Sequence, residues 1–241
     1  MHPLDNPIWK ALTTSLAHLA EGAGRARRFP AEVSVLGAVF QPTFQPTDEA
    51  YDSLAQITGA NPVGLFLEEL AQLPAGWTVI SSVPLLQMVY ENPTAKPGVA
   101  SVKPPAAQSS LPQFIELTAA ESPGMMALAE LTKPGPFGRR THELGTYLGI
   151  RCEGKLVAMA GQRLRVPGFT EISAVCTHPD FLGHGYATAL MKELMQRIRQ
   201  RDEQPFLHVR ADNTRPIELY QRLGFTQRML YQYTVVRRPA E

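Results

Sequence analysis

The chain has 241 residues, which is enough for one large domain or two small ones. Its 44% hydrophobic and 19% charged residues exclude a protein that is disordered throughout. A net charge of +1 provides no global field for gathering nucleic acid or an anionic membrane surface, so we expect neither as a partner. The part after Ser110 is mildly basic, which suits a small anionic ligand better than a polymer.

Residues 1–9 lack the basic and apolar regions of a secretory signal, and no run of 18 apolar residues occurs in the chain. We therefore expect a cytoplasmic protein. The two cysteines, Cys152 and Cys176, lie in apolar or strand-like contexts without metal-ligand spacing. They are interpreted as reduced packing residues, and we expect no bound metal.

Residues 1–91 predict a smaller α/β domain. The β-forming runs lie at 33–40 and 77–83, and helical spacing marks residues 47–57 and 62–73. Asn61 before Pro62 is typical of a helix start. No chemical constellation occurs in this part. Residues 92–111 are rich in proline, alanine and serine and predict a linker.

Residues 112–238 give a sharper pattern. A strand at 114–117 and a helix at 123–131 precede a loop with two prolines and two glycines at 133–138. A hairpin follows at 147–151 and 155–164, turning at Glu153-Gly154. The next predicted elements are a strand at 169–177, a helix from 186 to about 201, a strand at 205–211, a helix ending at Leu223, and a strand at 228–236.

The segment after the 169–177 strand has the residues of an anion-binding loop. Gly183 and Gly185 can adopt left-handed backbone angles and let an anion approach the main chain. The helix that follows adds free N–H groups and the positive end of its dipole, which together suit a diphosphate. A tight structural turn explains the same glycines equally well. A nicotinamide site is disfavoured, because the loop follows an antiparallel hairpin rather than the first strand of a parallel unit.

Two ordered motifs occur in this part of the chain. They are Leu182-Gly183-His184-Gly185-Tyr186-Ala187, and Asn213, Ile217, Leu219, Tyr220, Leu223, Gly224 and Phe225. The first resembles Q/R-x-x-G-x-G/A, the acyl-CoA signature of the GNAT acetyltransferase superfamily, and the second resembles that family's later N-x-x-A-x-x-L-Y-x-x-L-G-F. Leu182 stands where the family usually has Gln or Arg. The resemblance covers about residues 112–237 and implies a mixed, largely antiparallel sheet splayed around a cleft. Residues 1–91 are interpreted as a possible degenerate GNAT-like domain.

The resemblance also implies roles for individual residues toward acetyl-CoA as co-substrate. Val175, Cys176 and Thr177 would pair with the pantetheine arm, and residues 182–188, including Thr188, would hold the pyrophosphate. Asn213 would bind the pantetheine or acyl region, although it could equally be a helix cap. Tyr220 would protonate the departing thiolate, unless it is a core tyrosine. Glu171 is the candidate general base, unless it is a solvent-facing strand carboxylate.

Alternative bases are His142, Glu143, His178 or a water relay. Arg139, Arg140, Thr141 and His142 are expected to border the acceptor pocket, unless they are solvated surface.

The implied activity is transfer of an acetyl group to a primary amine of a small molecule or peptide, by direct attack. A homodimer is possible, and the first 91 residues could cover the acceptor cleft or form the dimer surface. Two other classes stay open at this point. One is a non-catalytic acyl-CoA sensor, and the other is a toxin-neutralising or scaffold protein that binds no CoA.

Overall fold

The computed structural model describes residues 2–40, 47–68, 73–91 and 113–238. The predicted linker, residues 92–111, lies outside these residues. The helices are α1 (Pro7–Thr13), α2 (Asp48–Thr58), α3 (Ser122–Thr132), α4 (Tyr186–Arg199) and α5 (Thr214–Arg222). The strands are β1 (Ala26–Arg28), β2 (Gly37–Val39), β3 (Val63–Leu67), β4 (Thr78–Tyr90), β5 (Ile115–Leu117), β6 (Tyr147–Cys152), β7 (Lys155–Val166), β8 (Phe169–Thr177), β9 (Gln204–Arg210) and β10 (Phe225–Arg237).

Eight strands form one sheet in the order β3-β10-β4-β9-β8-β7-β6-β5, and β1 pairs with β2 separately. Every neighbouring pair is antiparallel except β8 and β9, which run parallel. The prediction of a mixed, largely antiparallel sheet flanked by helices is confirmed.

The sheet contains strands from both parts of the chain. β4 lies between β9 and β10. Its pairing with β10 runs from Thr78, opposite Arg237, to Tyr90, opposite Phe225. β3 pairs with the other edge of β10. The sheet therefore continues across the predicted linker. The domain boundaries at residues 91 and 112 stay a prediction about the chain, but they do not separate two sheets.

Helices cover both faces of the sheet because strand side chains alternate between them. Ala158 and Ala160 of β7 belong to the core that contains the apolar side of α4. Met159, between them, packs with Met125 and Leu128 of α3 on the opposite face. Within the described ranges, no helix is both long and apolar enough to cross a membrane.

The prediction of a helix over residues 62–73 is wrong at its start. Residues 63–67 form β3, and all five are buried. A short continuous apolar run suits a strand covered on both faces as well as it suits a buried helix, so periodicity alone could not distinguish them. Residues 69–72 lie outside the described residues. The strand predicted at 33–40 is also shorter in the structure, where β2 spans Gly37–Val39.

The remaining predicted elements of the second part are present. Glu153 and Gly154 have φ values of 49° and 78°, the left-handed angles that close a two-residue hairpin turn between β6 and β7. The last strand begins at Phe225, immediately after Gly224, rather than at Arg228.

Candidate active site

A cavity opens where the two parallel strands of the sheet separate. β8 and β9 are paired only at residues 169–171 and 204–206. Residues 172–177 of β8 and 208–210 of β9 then line a cavity of about 610 Å³, together with Asn213, Pro216 and Tyr220. This volume is within the range of small-molecule sites. The splayed cleft implied by the resemblance is therefore present.

A β-bulge shapes the wall of the cavity on β8. Met159 is opposite Cys176 and Gly161 is opposite Ser173, so one residue of β7 faces two residues of β8. Ala174, inside the bulge, has a φ of 53°. Such a bulge leaves an extra residue outside the ladder. In the part of the chain that the structure describes, β8 has no strand partner on its β9 side beyond Glu171. Backbone groups of this segment are therefore available to a ligand.

The glycine loop follows the cavity-lining part of β8 in the chain. Gly183 and Gly185 have φ values of 85° and 76°, and a Cβ at either position would meet no atom within 4 Å. Their angles, and not crowding by protein atoms, therefore explain why glycine is needed here. No hydrogen bond among the described residues uses the backbone N–H groups of residues 183–188. Six donors at the start of a 14-residue helix form a site suited to a diphosphate.

Tyr220 presents a protonated phenol to the cavity. Its side chain lines the cavity, and the residue is 8% exposed. Burial raises the pKa of its phenol to about 12, so the group keeps its proton at neutral pH. No hydrogen bond to another described residue engages the hydroxyl.

The predicted binding residues fall into two groups. Val175, Cys176, Thr177 and Asn213 line the same cavity as Tyr220. Residues 182–188 lie outside its lining and form the loop beyond it. Cys176 is a free, buried cysteine, and burial raises the pKa of its thiol to about 11, so it is a protonated packing residue rather than a nucleophile.

The position of Glu171 does not favour a direct role as general base. Glu171 is 0% exposed and is absent from the cavity lining. Its carboxylate accepts hydrogen bonds from Arg163 at 2.5 and 2.9 Å and from His208 Nδ1 at 2.7 Å. Although burial opposes ionisation, these two partners lower its pKa to about 2. The Glu171 carboxylate is therefore a weak base, and both of its oxygens already accept hydrogen bonds. Such a group is poorly suited to take a proton from an amine.

His208 connects Glu171 to the first part of the chain. The Gln87 amide nitrogen donates to the Leu4 carbonyl at 3.1 Å and lies 3.1 Å from His208 Nε2. An amide nitrogen only donates, so Nε2 accepts and Nδ1 carries the proton given to Glu171. Burial lowers the pKa of His208, and the ring is therefore neutral at pH 7.

The other candidate bases lie away from the cavity lining. His178 Nε2 is 2.9 Å from Lys155 Nζ, and its Nδ1 accepts from the Asp180 N–H. Glu143 forms an ion pair with Arg140 at 2.7 Å. His142 is likewise not among the lining residues.

The segment predicted to border the acceptor pocket instead contacts the first part of the chain. Arg139 and Arg140 form ion pairs with Glu32. The Thr141 hydroxyl is buried and donates to the Val33 carbonyl at 2.7 Å. These residues join the two parts of the chain, and none of them lines the main cavity.

Sequence reasoning missed one wall of the cavity. This wall combines Phe66 of β3 with Arg163, His208 and Tyr233 from the second part of the chain. The Phe66 ring lies 4.6 Å from the His208 ring and 6.0 Å from the Tyr233 ring, measured between centroids. The only available signal was a polar residue inside β7, β9 and β10, and that pattern is common on solvated strands; β3 has no polar residue. Among the described residues, no cluster of three or more His, Cys, Asp or Glu could hold a metal ion.

Comparisons with known proteins agree with this geometry. The family described as FR47-like protein matches residues 147–235. A structure from Novosphingobium aromaticivorans DSM 12444, assigned to the GNAT family of acetyltransferases, shares 32% identity over 100% of both chains, with a TM-score of 0.83. A GCN5-related N-acetyltransferase from Kribbella flavida shares 18% identity over 96% of this chain and 94% of its own, with a TM-score of 0.59, and supports the fold alone. No curated protein matches the sequence.

Proposed function

Because the chain belongs to the GNAT family of acetyltransferases, we propose that it transfers the acetyl group of acetyl-CoA to a primary amine. One observation carries the proposal. The strand separation places the unpaired edge of β8 and the phenol of Tyr220 on a single cavity, and a loop with six free N–H groups follows β8.

Acetyl-CoA would lie along β8. Residues 183–188 would bind its pyrophosphate through backbone N–H groups, which a leucine at position 182 supplies as well as any other residue. Val175 to Thr177 would bind the pantetheine arm, and Asn213 would contact the arm or the acyl region. The cavity fits this arrangement, since it offers both an unpaired strand edge and sufficient volume.

Acetyl transfer needs a neutral amine, a place for negative charge and a proton for the leaving group. The amine nitrogen forms a bond to the thioester carbonyl carbon, and the carbon–sulfur bond breaks. Backbone N–H groups near Val175 or Cys176 would stabilise the developing oxyanion. Tyr220 would give its proton to the departing thiolate, and the amine would lose its proton through water, so that the products are an amide and free CoA.

The lining of the cavity favours the neutral form of the amine. Its charged residues in the described part of the chain are Lys133, Arg163 and Arg210, and neither Asp nor Glu is among them. Without a carboxylate to stabilise an ammonium group, a bound amine loses its proton more easily. The paired, weakly basic Glu171 would then position Arg163 and His208 rather than take the proton itself.

Calorimetric titration and thiol detection test the proposal. Acetyl-CoA is expected to bind with one site per chain, and CoA is expected to be released faster when a suitable amine is added. Binding without amine-dependent release from any of a broad amine panel would identify an acyl-CoA sensor instead. If acetyl-CoA does not bind, the protein works as neither an enzyme nor a sensor of this kind.

A further inference from the structure

We infer that Arg163 binds a carboxylate of the acceptor, so that the substrate is an amino acid or similar amine with a carboxylate and an apolar side chain. This inference rests on the proposed function and specifies the substrate class of the same site. It depends on the wall of the cavity that the two sequence motifs leave unassigned.

The wall around Arg163 is the part of the cavity left for an acceptor. Acetyl-CoA would occupy the side formed by β8 residues and Tyr220. Arg163 instead lies beside Phe66, with its guanidinium carbon 5.9 Å from the ring centroid. Phe66 also contacts the rings of His208 and Tyr233. These residues therefore form one continuous surface on the cavity, where the attacking amine would lie in the proposed reaction.

The guanidinium of Arg163 has N–H donors that form no hydrogen bond with another described residue. Its Nε and Nη2 atoms donate to the two oxygens of Glu171, at 2.9 and 2.5 Å. No hydrogen bond between described residues uses Nη1. The side chain is only 13% exposed, and it lines the cavity. A guanidinium has five N–H donors in a fixed plane, so at least one edge is available to a ligand that accepts hydrogen bonds.

A carboxylate matches that edge best. It accepts two nearly parallel N–H bonds, and charge-assisted bonds of this kind are stronger than neutral ones. Glu171 holds the guanidinium in a fixed orientation, which reduces the entropy lost when a ligand binds. Because Glu171 already balances the charge of Arg163, selection would depend on hydrogen-bond geometry, with Lys133 and Arg210 as the other cations on the cavity.

Most of the remaining side chains near Arg163 are apolar. Leu36, Phe66, Val83 and Leu85 line the cavity with the ring of Tyr233, and Ser81 adds one hydroxyl. A polar side chain on the acceptor would lose much of its hydration there for few partners. The combination therefore selects an amine that carries a carboxylate and an aliphatic or aromatic side chain.

Paired substrates test the inference directly. L-phenylalanine and L-leucine would be compared with their amides, which keep the amine and side chain but lack the charge. With the unmodified protein, kcat/KM is expected to be at least about tenfold higher for the acids, consistent with a hydrogen bond to a charged group. Arg163→Lys keeps the positive charge toward Glu171 but removes the planar guanidinium group. The ratio of kcat/KM for the acid to kcat/KM for the amide should therefore fall close to one.

A matched variant separates this role from a structural one. Arg165→Lys changes an arginine on the same strand that pairs with Glu203 and does not line the cavity. It should leave the ratio unchanged, and both variants should bind acetyl-CoA as the unmodified protein does. If Arg163→Lys does not fold, competition by N-acetyl-L-phenylalanine and its amide against the unmodified protein gives the same comparison.

The outcomes distinguish this inference from the proposed function. Equal rates for acids and amides, an unchanged ratio in Arg163→Lys, or acetyl-CoA binding without turnover of either acid would overturn the carboxylate inference. In the first two cases acetyl transfer itself still stands. Loss of acetyl-CoA binding in the unmodified protein would instead overturn the proposed function.

Discussion

Tyr220 is the residue whose surroundings best match a single chemical task. It is buried enough to keep its proton, yet it faces a cavity and is free of partners among the described residues. A hydroxyl that faces a cavity can donate its hydrogen bond to a ligand bound there. The leaving thiolate of CoA is such an acceptor in the proposed reaction.

Tyr220→Phe should therefore slow acetyl transfer by roughly 10²- to 10⁴-fold, the usual contribution of a positioned acid, with acetyl-CoA affinity nearly unchanged. Steady-state thiol release and calorimetry measure the two quantities. Tyr51→Phe is the matched control, since Tyr51 is a buried tyrosine on α2 whose hydroxyl also has no partner in the described part of the chain. Unchanged turnover in Tyr220→Phe would remove this residue from the mechanism.

The ion pair between Glu171 and Arg163 makes Glu171 a contributor to stability. Its buried ion pair with Arg163 holds the carboxylate ionised, so Glu171→Gln should lower the free energy of unfolding at pH 7 by about 3–5 kcal/mol, the cost of leaving a buried charge unpaired. Urea denaturation measures this change. Glu193→Gln, which breaks a partly exposed pair on α4, should cost less than about 0.5 kcal/mol.

The loss of unfolding free energy caused by Glu171→Gln should depend on pH in a defined direction. The pKa of Glu171 falls from 4.5 to about 2 on folding, so its contribution is fully present above pH 4.5 and is lost as pH falls toward 2. The difference in the free energy of unfolding between the unmodified protein and Glu171→Gln should therefore become smaller over that pH range. A difference that stays constant from pH 7 to pH 3 would show that the ion pair does not stabilise the fold.

At the level of elements, the loop before α4 has a backbone geometry that suits its proposed role. Gly185 is in the left-handed region at the start of the helix, with open space where a Cβ would lie. In the proposed complex, a side chain here would meet the pyrophosphate rather than protein. The same loop could be recognised in the sequence because left-handed glycines and a helix start depend on neighbours in the chain.

Gly185→Asp should weaken acetyl-CoA binding by roughly tenfold or more, because it adds a negative charge where the pyrophosphate would lie. Calorimetric titration gives the affinity. Gly154→Asp serves as control, since Gly154 has a φ of 78° and equally open surroundings but lies in the β6–β7 turn. Equal affinities for the two variants would mean that the loop does not bind the phosphates.

In the molecule as a whole, the first 91 residues contribute two strands, β3 and β4, to the large sheet. β4 fills the position between β9 and β10, and Phe66 of β3 lines the cavity of the candidate site. The two parts are further joined by Tyr231, which donates hydrogen bonds to the carbonyls of Leu4 and Asp5 at 2.7 and 2.9 Å. The first part of the chain thus completes both the fold and the candidate site.

A fragment of residues 112–241 should therefore fail to fold cooperatively. Without β4, the edges of β9 and β10 lose their pairing, and apolar side chains such as Met88 no longer cover the core. Circular dichroism during thermal unfolding compares the fragment with the full chain. A fragment that unfolds cooperatively and binds acetyl-CoA would restore the interpretation of residues 112–238 as an independent domain.

The sequence alone determined the local features of this protein. It predicted the hairpin, the strand–glycine loop–helix unit and α5 with Tyr220, because turn angles, helix starts and hydrophobic periodicity depend on residues close together in the chain. Two ordered motifs carried the family resemblance, which implied the sheet type and identified Tyr220 and Asn213 as candidates.

Tertiary structure alone decided the long-range features. Residues 63–67 form a strand because β10 pairs with them, a partner more than 160 residues away that no local pattern specifies. Glu171 is a paired anion because folding buries it against Arg163 and His208. The cavity wall that contains Phe66, Arg163, His208 and Tyr233 depends on the packing of β3, β7, β9 and β10, since residue types in separate strands become a site when packing fixes their distances.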